Sequence, residues 1–473
     1  MNRIIRELIL GFFICTGVMT SAPSAWAQDS PMIVNIDNPN FRKLIVAVPN
    51  FVVEASSDDE IKALAKDGAD QLSRLLNFSG LFNIMGEAAY KDLIKSNFKS
   101  DSQANGAQQG MEGIDHLQWK GIGVESLTVG ELKRSKEGLT VLLRTLDVYR
   151  GKLVVGKRFI KVKVDEFPAV IRRYADSILE AYTGKAGIFS SRITFIGRGQ
   201  KRSFKQVYVS DFDGSNVIQI TKGNYPHLSP AWSKDGRYIT YTSYEDGNPD
   251  LFIYEFATGK KSKLSGRKGL NSGSNWSANN KLVAFTGSNA GDADIYTVFP
   301  NGQNSKPLIR GEGLDVDPTF SPDSKWILFV SGRFGNPHIF RAELKWSGET
   351  EVRVVSDKRL TFAGWYNATP SWSPESDKIV FAGYDRDTDR FDLFMMNIDG
   401  TKLERLTIRA GDNERPSWSP NGQMIVFQSN RTRGKDIKGV NQLFVMNRDG
   451  SGQRPIKIDL YEAQTPDWGP AVK

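Results

Sequence analysis

The chain has 473 residues, 39% of them hydrophobic and 25% charged, which excludes a disordered polypeptide and leaves room for two or three cores of ordinary domain size. Its formal net charge of +8 is mild for that length, and its basic residues are mixed with acidic ones in no long run, so no nucleic-acid surface is indicated. Cys15 is the single cysteine and lies near the start; a chain that loses this region can form no disulfide and no thiolate metal site, and must be stabilised by packing alone.

In chain order, Arg3 and Arg6 precede an apolar run from Leu8 to Met19 and the small-residue pattern Ala25-Trp26-Ala27. This is the three-part pattern of a secretory signal over residues 1–27, cleaved before Gln28. The run is too short for the roughly twenty residues that span a bilayer, and Ile14 before Cys15 argues against a lipid-attached cysteine. The expected product is an exported protein whose association with the envelope is peripheral and made only through partners.

From residue 28 to 185 helix and strand patterns alternate, predicting a small α/β domain with an extended N-terminal segment. Leu44 to Val48 reads as a buried strand. Ile61, Leu64, Ala65, Leu72, Leu75 and Leu76 share a helical face, with Ser57 and Asp58 as candidate caps. A short helix is expected from Glu87, strands over 121–127, 140–148 and 154–164, and a closing helix carrying Ile171, Ala175, Ile178, Leu179 and Tyr182. The stretch from Ser96 to Gly113 is rich in Ser, Asn, Gln and Gly and reads as a surface loop.

From residue 186 a repeat takes over. Trp232, Trp276, Phe320, Trp372, Trp418 and Trp468 are separated by 44, 44, 52, 46 and 50 residues, about one four-stranded propeller blade per interval. Proline stands two residues before five of them. Each of the first five is followed by Ser, a polar turn such as Lys234-Asp235-Gly236, and a β-branched or aromatic strand such as Ile327 to Ser331. A second strand then recurs, as in Asp250 to Tyr254 and Gln442 to Met446. The same two strands also occur before the first tryptophan, at Arg192 to Ile196 and Gln206 to Ser210, while Trp468 has no strands after it. The last segment therefore supplies the innermost strand of the first blade, closing an all-β six-bladed propeller with few free edges.

Several features together carry a family likeness. They are the leader, the α/β domain with Trp119-Lys120-Gly121-Ile122-Gly123 and Leu146-Asp147-Val148, the junction from Tyr182 to Phe189 with Arg192-Ile193, and the six repeats of Ser-Pro-Asp-Gly type. With these features the mature chain resembles the TolB family, periplasmic components of bacterial Tol-Pal cell-envelope systems. The resemblance implies a non-enzymatic periplasmic adaptor that maintains outer-membrane integrity and supports cell division. One propeller face would receive Pal, the peptidoglycan-associated lipoprotein; the N-terminal segment would engage TolA; other envelope proteins are further candidates.

By position, the Pal-facing loops are those entering each aromatic anchor: Leu270, Asn271, Ser272 and Gly273; Asp315, Val316 and Asp317; Tyr366, Asn367 and Thr369; Asn413, Glu414 and Arg415. Their mixed polarity suits a wet protein interface. The TolA-binding candidates are Met32, Ile33, Val34 and Ile36, which could add as a strand to a partner sheet.

Catalysis is not expected. No Gly-x-Ser-x-Gly elbow occurs, and His116, His227 and His338 are too scattered for a triad or a zinc site. Asp213-Gly214 and Asp399-Gly400 lack the alternating acids of a calcium loop and read as hairpin turns. Neither a cofactor nor a metal is therefore assigned. The rival readings are a propeller attached to a peptidase-like hydrolase and a carbohydrate-binding propeller.

Overall fold

The alternating signals of the N-terminal portion resolve into one mixed sheet covered by helices. The computed structural model describes residues 42–54, 57–93, 114–288, 291–408, 410–431 and 439–471. The predicted leader, the segment 28–40 and the whole of the polar loop 96–113 lie outside the described residues. The sheet contains β1 (Leu44–Ala47), β2 (Val52–Val53), β3 (Phe82–Ile84), β4 (Ser126–Ser135), β5 (Gly138–Asp147) and β6 (Lys152–Val162). Its order is β3-β1-β4-β5-β6, with β2 beside β4. β1 runs parallel to β3 and β4, whereas β4, β5 and β6 form an antiparallel meander.

Helix α1 (Asp59–Phe78) starts where Asp58 accepts a hydrogen bond from Ile61 N at 2.9 Å, a cap that contributes about 1 kcal/mol. It buries the stripe Ile61, Ala65, Leu72, Leu75 and Leu76. The short helix expected from Glu87 is a single 3-10 turn, Glu87–Ala89. A strand expected from Gly121 is not formed there. Instead α2 (His116–Gly121) begins at the Asp115 cap, whose carboxylate accepts from Leu117 N at 3.1 Å, and carries Trp119 into full burial beside Tyr90. The strand starts at Ser126 and runs on to Ser135. Helix α3 (Phe167–Thr183) has Pro168 in its first turn, where the missing N–H costs nothing, and ends at Gly184 with φ +69°.

The repeats form six four-stranded antiparallel sheets. Blade 1 joins Glu462–Ala471 to Ser191–Arg198, Gln206–Asp211 and Ile218–Gln219, so the last strand is the innermost strand of the first blade. Blades 2 to 6 begin with the innermost strands His227–Trp232, Asn271–Trp276, Asp315–Phe320, Tyr366–Trp372 and Asn413–Trp418. All six aromatic anchors are buried. Each packs on the middle strands of the preceding blade: Trp276 on Leu251 and Ile253, Phe320 on Ala284 and Ile295, Trp418 on Val380 and Leu393. Indole N–H groups add bonds across the same seams, from Trp276 to Thr240 Oγ1 at 3.3 Å and from Trp372 to Thr319 O at 2.9 Å. The serine after each of the first five anchors explains the repeat's turn. Ser321 Oγ donates to Asp323 at 2.7 Å while accepting from Trp326 N at 3.0 Å, which fixes the turn without tertiary help.

The junction locks the two parts together. Asp176 on α3 accepts from Phe189 N at 2.7 Å, Ser190 N at 3.1 Å and Ser190 Oγ at 2.6 Å. Gly187 passes so close that a Cβ there would lie 2.0 Å from the Asp176 carboxylate. Arg454 of blade 6 donates to Phe78 O at the end of α1 at 2.6 Å, with its guanidinium 4.4 Å from the Phe78 ring centre. One apolar core runs through, from Leu72 and Ile178 to Met424, Leu443 and Trp468.

Candidate protein-docking site at the propeller channel

Each innermost strand pairs with its neighbour in two short registers separated by a bulge. In blade 3 the pairs Asn271↔Gly287 and Ser272↔Thr286 are followed by Asn275↔Ala284, one residue more on the inner strand than on its partner. The same shift recurs in every blade. At each bulge one residue takes a left-handed conformation: Ser229 (φ +49°), Gly273 (+61°), Asp317 (+52°), Thr369 (+49°), Arg415 (+54°) and Thr465 (+51°). Five of these precede a proline, which disfavours helical backbone still further. For a non-glycine residue such a conformation costs about 1–3 kcal/mol and persists only where its surroundings enforce it.

The side chains of this ring converge on the propeller axis. Arg415 of blade 6 reaches Asp317 of blade 4 at 3.4 Å, skipping blade 5. Asp317 Oδ1 lies 3.4 Å from where a Cβ on Gly273 would stand, and Ser272 Oγ is 3.4 Å from Ser229 Oγ in the next blade. Arg415 and Asp317 keep 38% and 22% of their side-chain surface exposed, so the pair is open to exchange partners, and its own contribution to stability is small. Beside it Glu414 accepts from Gln428 Nε2 at 3.1 Å, and burial pushes its carboxyl above the ordinary range. Burial also raises the Tyr366 phenol, whose ring meets Phe391 edge-on. The result is a small opening lined by one cation, two acids, hydroxyls and amides.

Two residues upstream the picture reverses. In five blades the position holds a buried polar side chain: His227, Asn271, Asp315, Asn367 and Asn413; blade 1 has Ala463. Asn271 donates to Pro249 O, Arg267 O and Gly269 O at 2.7 to 3.1 Å and accepts from Ser265 Oγ at 2.7 Å. Asn413 donates to Asp392 at 3.1 Å and accepts from Ser429 Oγ at 2.8 Å and Arg431 Nη2 at 2.7 Å. Asp315 faces Arg333 at 3.3 Å, yet burial, the larger influence, raises its carboxyl. Asn367 donates to Ala363 O at 2.9 Å and contacts His338 Nδ1 at 3.0 Å. These groups tie the entry loop of a blade to its outer strands, and their side chains are too deep for a partner to touch.

The sequence-predicted loop residues therefore separate into two sets. Ser272, Gly273, Asp317, Thr369, Glu414 and Arg415 reach the opening, with Leu270, Val316 and Tyr366 half-buried behind them. Asn271, Asp315, Asn367 and Asn413 are withdrawn from the surface, a correction to their reading as contact residues. Ser229 and Thr465 complete the ring and were not singled out; the proline after each was the available signal. Also unforeseen is a cleft of about 590 Å³ along blade 5, lined by Phe362, Trp365, Phe394, Met396 and Leu403 with Arg386 stacked 3.4 Å over Trp365. Met32, Ile33, Val34 and Ile36 lie outside the described residues.

The three histidines stand apart: His116 on α2, His227 in blade 2 and His338 in blade 4. Among the described residues no group of three or more His, Cys, Asp or Glu is arranged to hold a metal, and no helix is long and apolar enough to cross a membrane. Asp213 and Asp399 each bind their own turn, to Ser215 and Thr401.

Residues 179–472 match a family model described as the TolB beta propeller domain, and residues 32–154 one described as the TolB amino-terminal domain. The Tol-Pal system protein TolB of Desulfosudis oleivorans is 36% identical over 238 residues, covering 50% of this chain and 51% of that protein. The protein of that name from Desulfotalea psychrophila is 30% identical over 240 residues, covering 50% and 49%. The chain thus spans about half the length of the curated relatives it matches. The crystal structure of TolB from Acinetobacter baumannii superposes with a TM-score of 0.72 at 24% identity, covering 91% of this chain and 97% of that one, which shows a shared fold.

Proposed function

The chain belongs to the TolB β-propeller family, and from that premise we propose that it is a non-catalytic periplasmic adaptor of a Tol-Pal cell-envelope system. In this reading Pal docks on the propeller at the left-handed ring, and TolA engages the segment 28–40 through Met32, Ile33, Val34 and Ile36. Joining the two would support outer-membrane integrity and division.

The observation that carries the reading is the ring itself. Five strained non-glycine residues are held at one level around the axis, and strain of this kind is retained where a rigid, pre-shaped surface is needed. Asp317 and Arg415 offer both signs of charge at its centre, which favours specific orientation of a polar partner over bulk apolar adhesion. The segment 28–40 precedes the N-terminal domain in the sequence and is no part of the propeller repeats, so in this reading one chain can hold both partners.

The test is affinity isolation of the mature protein from its own envelope, with wild type, Asp317→Lys and a deletion of 28–40 compared. The adaptor reading expects Pal and TolA with wild type, loss of Pal alone with Asp317→Lys, and loss of TolA alone with the deletion. Recovery of both partners by all three forms would refute the assignment of sites.

A further inference from the structure

The cleft along blade 5 lies outside the left-handed ring. Its volume of about 590 Å³ falls within the usual range of a binding pocket. Leu360, Phe381 and Met396 give it a buried apolar floor. Its walls are Phe362, Trp365 and Leu403, which stay 75%, 46% and 49% exposed. Large apolar side chains scattered singly over a surface need no explanation, but three around one opening mark an interaction site.

The polar groups about these walls say what the cleft would accept. Thr361 and Asn367 are already committed: Thr361 Oγ1 accepts from Ile339 N at 2.9 Å, and Asn367 donates to Ala363 O at 2.9 Å. Arg405 is held by Asp385 at 2.8 Å and by Asp392. Two other guanidiniums are placed differently. Arg386 lies 3.4 Å over the Trp365 ring and Arg359 lies 5.0 Å over the Phe362 ring, and neither is paired with a carboxylate among the described residues. Asp387 is the one acid of the lining that is likewise unpaired among them.

A pocket for a free small molecule encloses about 70–90% of its ligand. Walls as open as Phe362, Trp365 and Leu403 do not achieve that alone; they suit a side chain whose own polypeptide covers the opening. We propose that the cleft receives a large apolar side chain of a partner polypeptide that carries a carboxylate in the same segment. The apolar group settles on Leu360, Phe381 and Met396. The carboxylate pairs with Arg386, whose stacking on Trp365 places its guanidinium without an acid of its own. The site does not rest on the Pal and TolA reading.

The test uses the mature full-length chain with isotope-labelled methionine methyl groups, in which the Met396 signal, assigned through Met396→Leu, reports on the cleft floor by NMR. The probe is an acetylated, amidated peptide with phenylalanine between two glutamates. Saturable movement of the Met396 signal is expected, and alanine in place of the phenylalanine should abolish it. Lysines in place of both glutamates should weaken binding about tenfold at low salt, and Arg386→Glu in the protein about fivefold. Leu403→Asp, at a position already exposed, should weaken it about fivefold as well through lost apolar contact. Equal binding of the lysine peptide would overturn the proposal, as would an unchanged Met396 response in both folded variants. Absence of saturable movement with millimolar peptide would overturn it too. Phenylpropionate binding as tightly as the peptide would make the cleft a small-molecule pocket and overturn the assignment to a polypeptide.

Discussion

In four of the blades two positions two residues apart have opposite fates. Asn271, Asp315, Asn367 and Asn413 are buried and bonded, whereas Gly273, Asp317, Thr369 and Arg415, across the bulge, face the axis in a left-handed conformation. The bulge is what separates them. Its extra residue turns the chain so that the first position points into the blade and the second toward the opening. Polarity in a loop therefore does not identify a contact surface; the backbone conformation does. The inner set should govern stability and the exposed set partner binding.

That division can be broken by substitution. The largest expected effect is Asn413→Leu, which removes one hydrogen bond each from Asp392, Ser429 and Arg431 in a buried setting and should cost about 1–3 kcal/mol in denaturant unfolding. Next is the pH response of His227. Burial holds its pKa down at about 4, from an ordinary 6.5. Between those values the unfolded chain takes up a proton that the folded chain refuses. Stability from the neutral imidazole is thus complete above about 6.5 and lost as pH falls toward 4. Unfolding curves across that window should show the slope in wild type and a shallower one in His227→Gln. The smallest effect has the opposite sign. Thr369→Gly relieves a β-branched residue at φ +49° and should stabilise the fold by about 0.5–1 kcal/mol once the added freedom of the unfolded chain is counted. A destabilising Thr369→Gly would show that the ring is not strained.

Much of this was legible in the sequence. Trp468 without following strands announced the closure of the ring, because an anchor and its strands must meet in one sheet. The Ser-Asp turns were legible because their bonds are local. The fate of Asn271 against Gly273 was not, since a bulge changes pairing without altering composition. Nor was α2, where Trp119-Lys120-Gly121 resembles the start of a strand. Its six-residue helix depends on the Asp115 cap and on Trp119 packing beside Tyr90, a contact between residues distant in sequence.

The division between the two rings is tested most directly by calorimetric titration of soluble Pal into wild type, Arg415→Glu and Asn413→Leu, each at a temperature where the variant is folded. The account predicts that Arg415→Glu, with unchanged unfolding, weakens binding at least tenfold, while Asn413→Leu binds within about threefold of wild type despite its lower stability. Wild-type affinity in Arg415→Glu together with lost affinity in folded Asn413→Leu would contradict it.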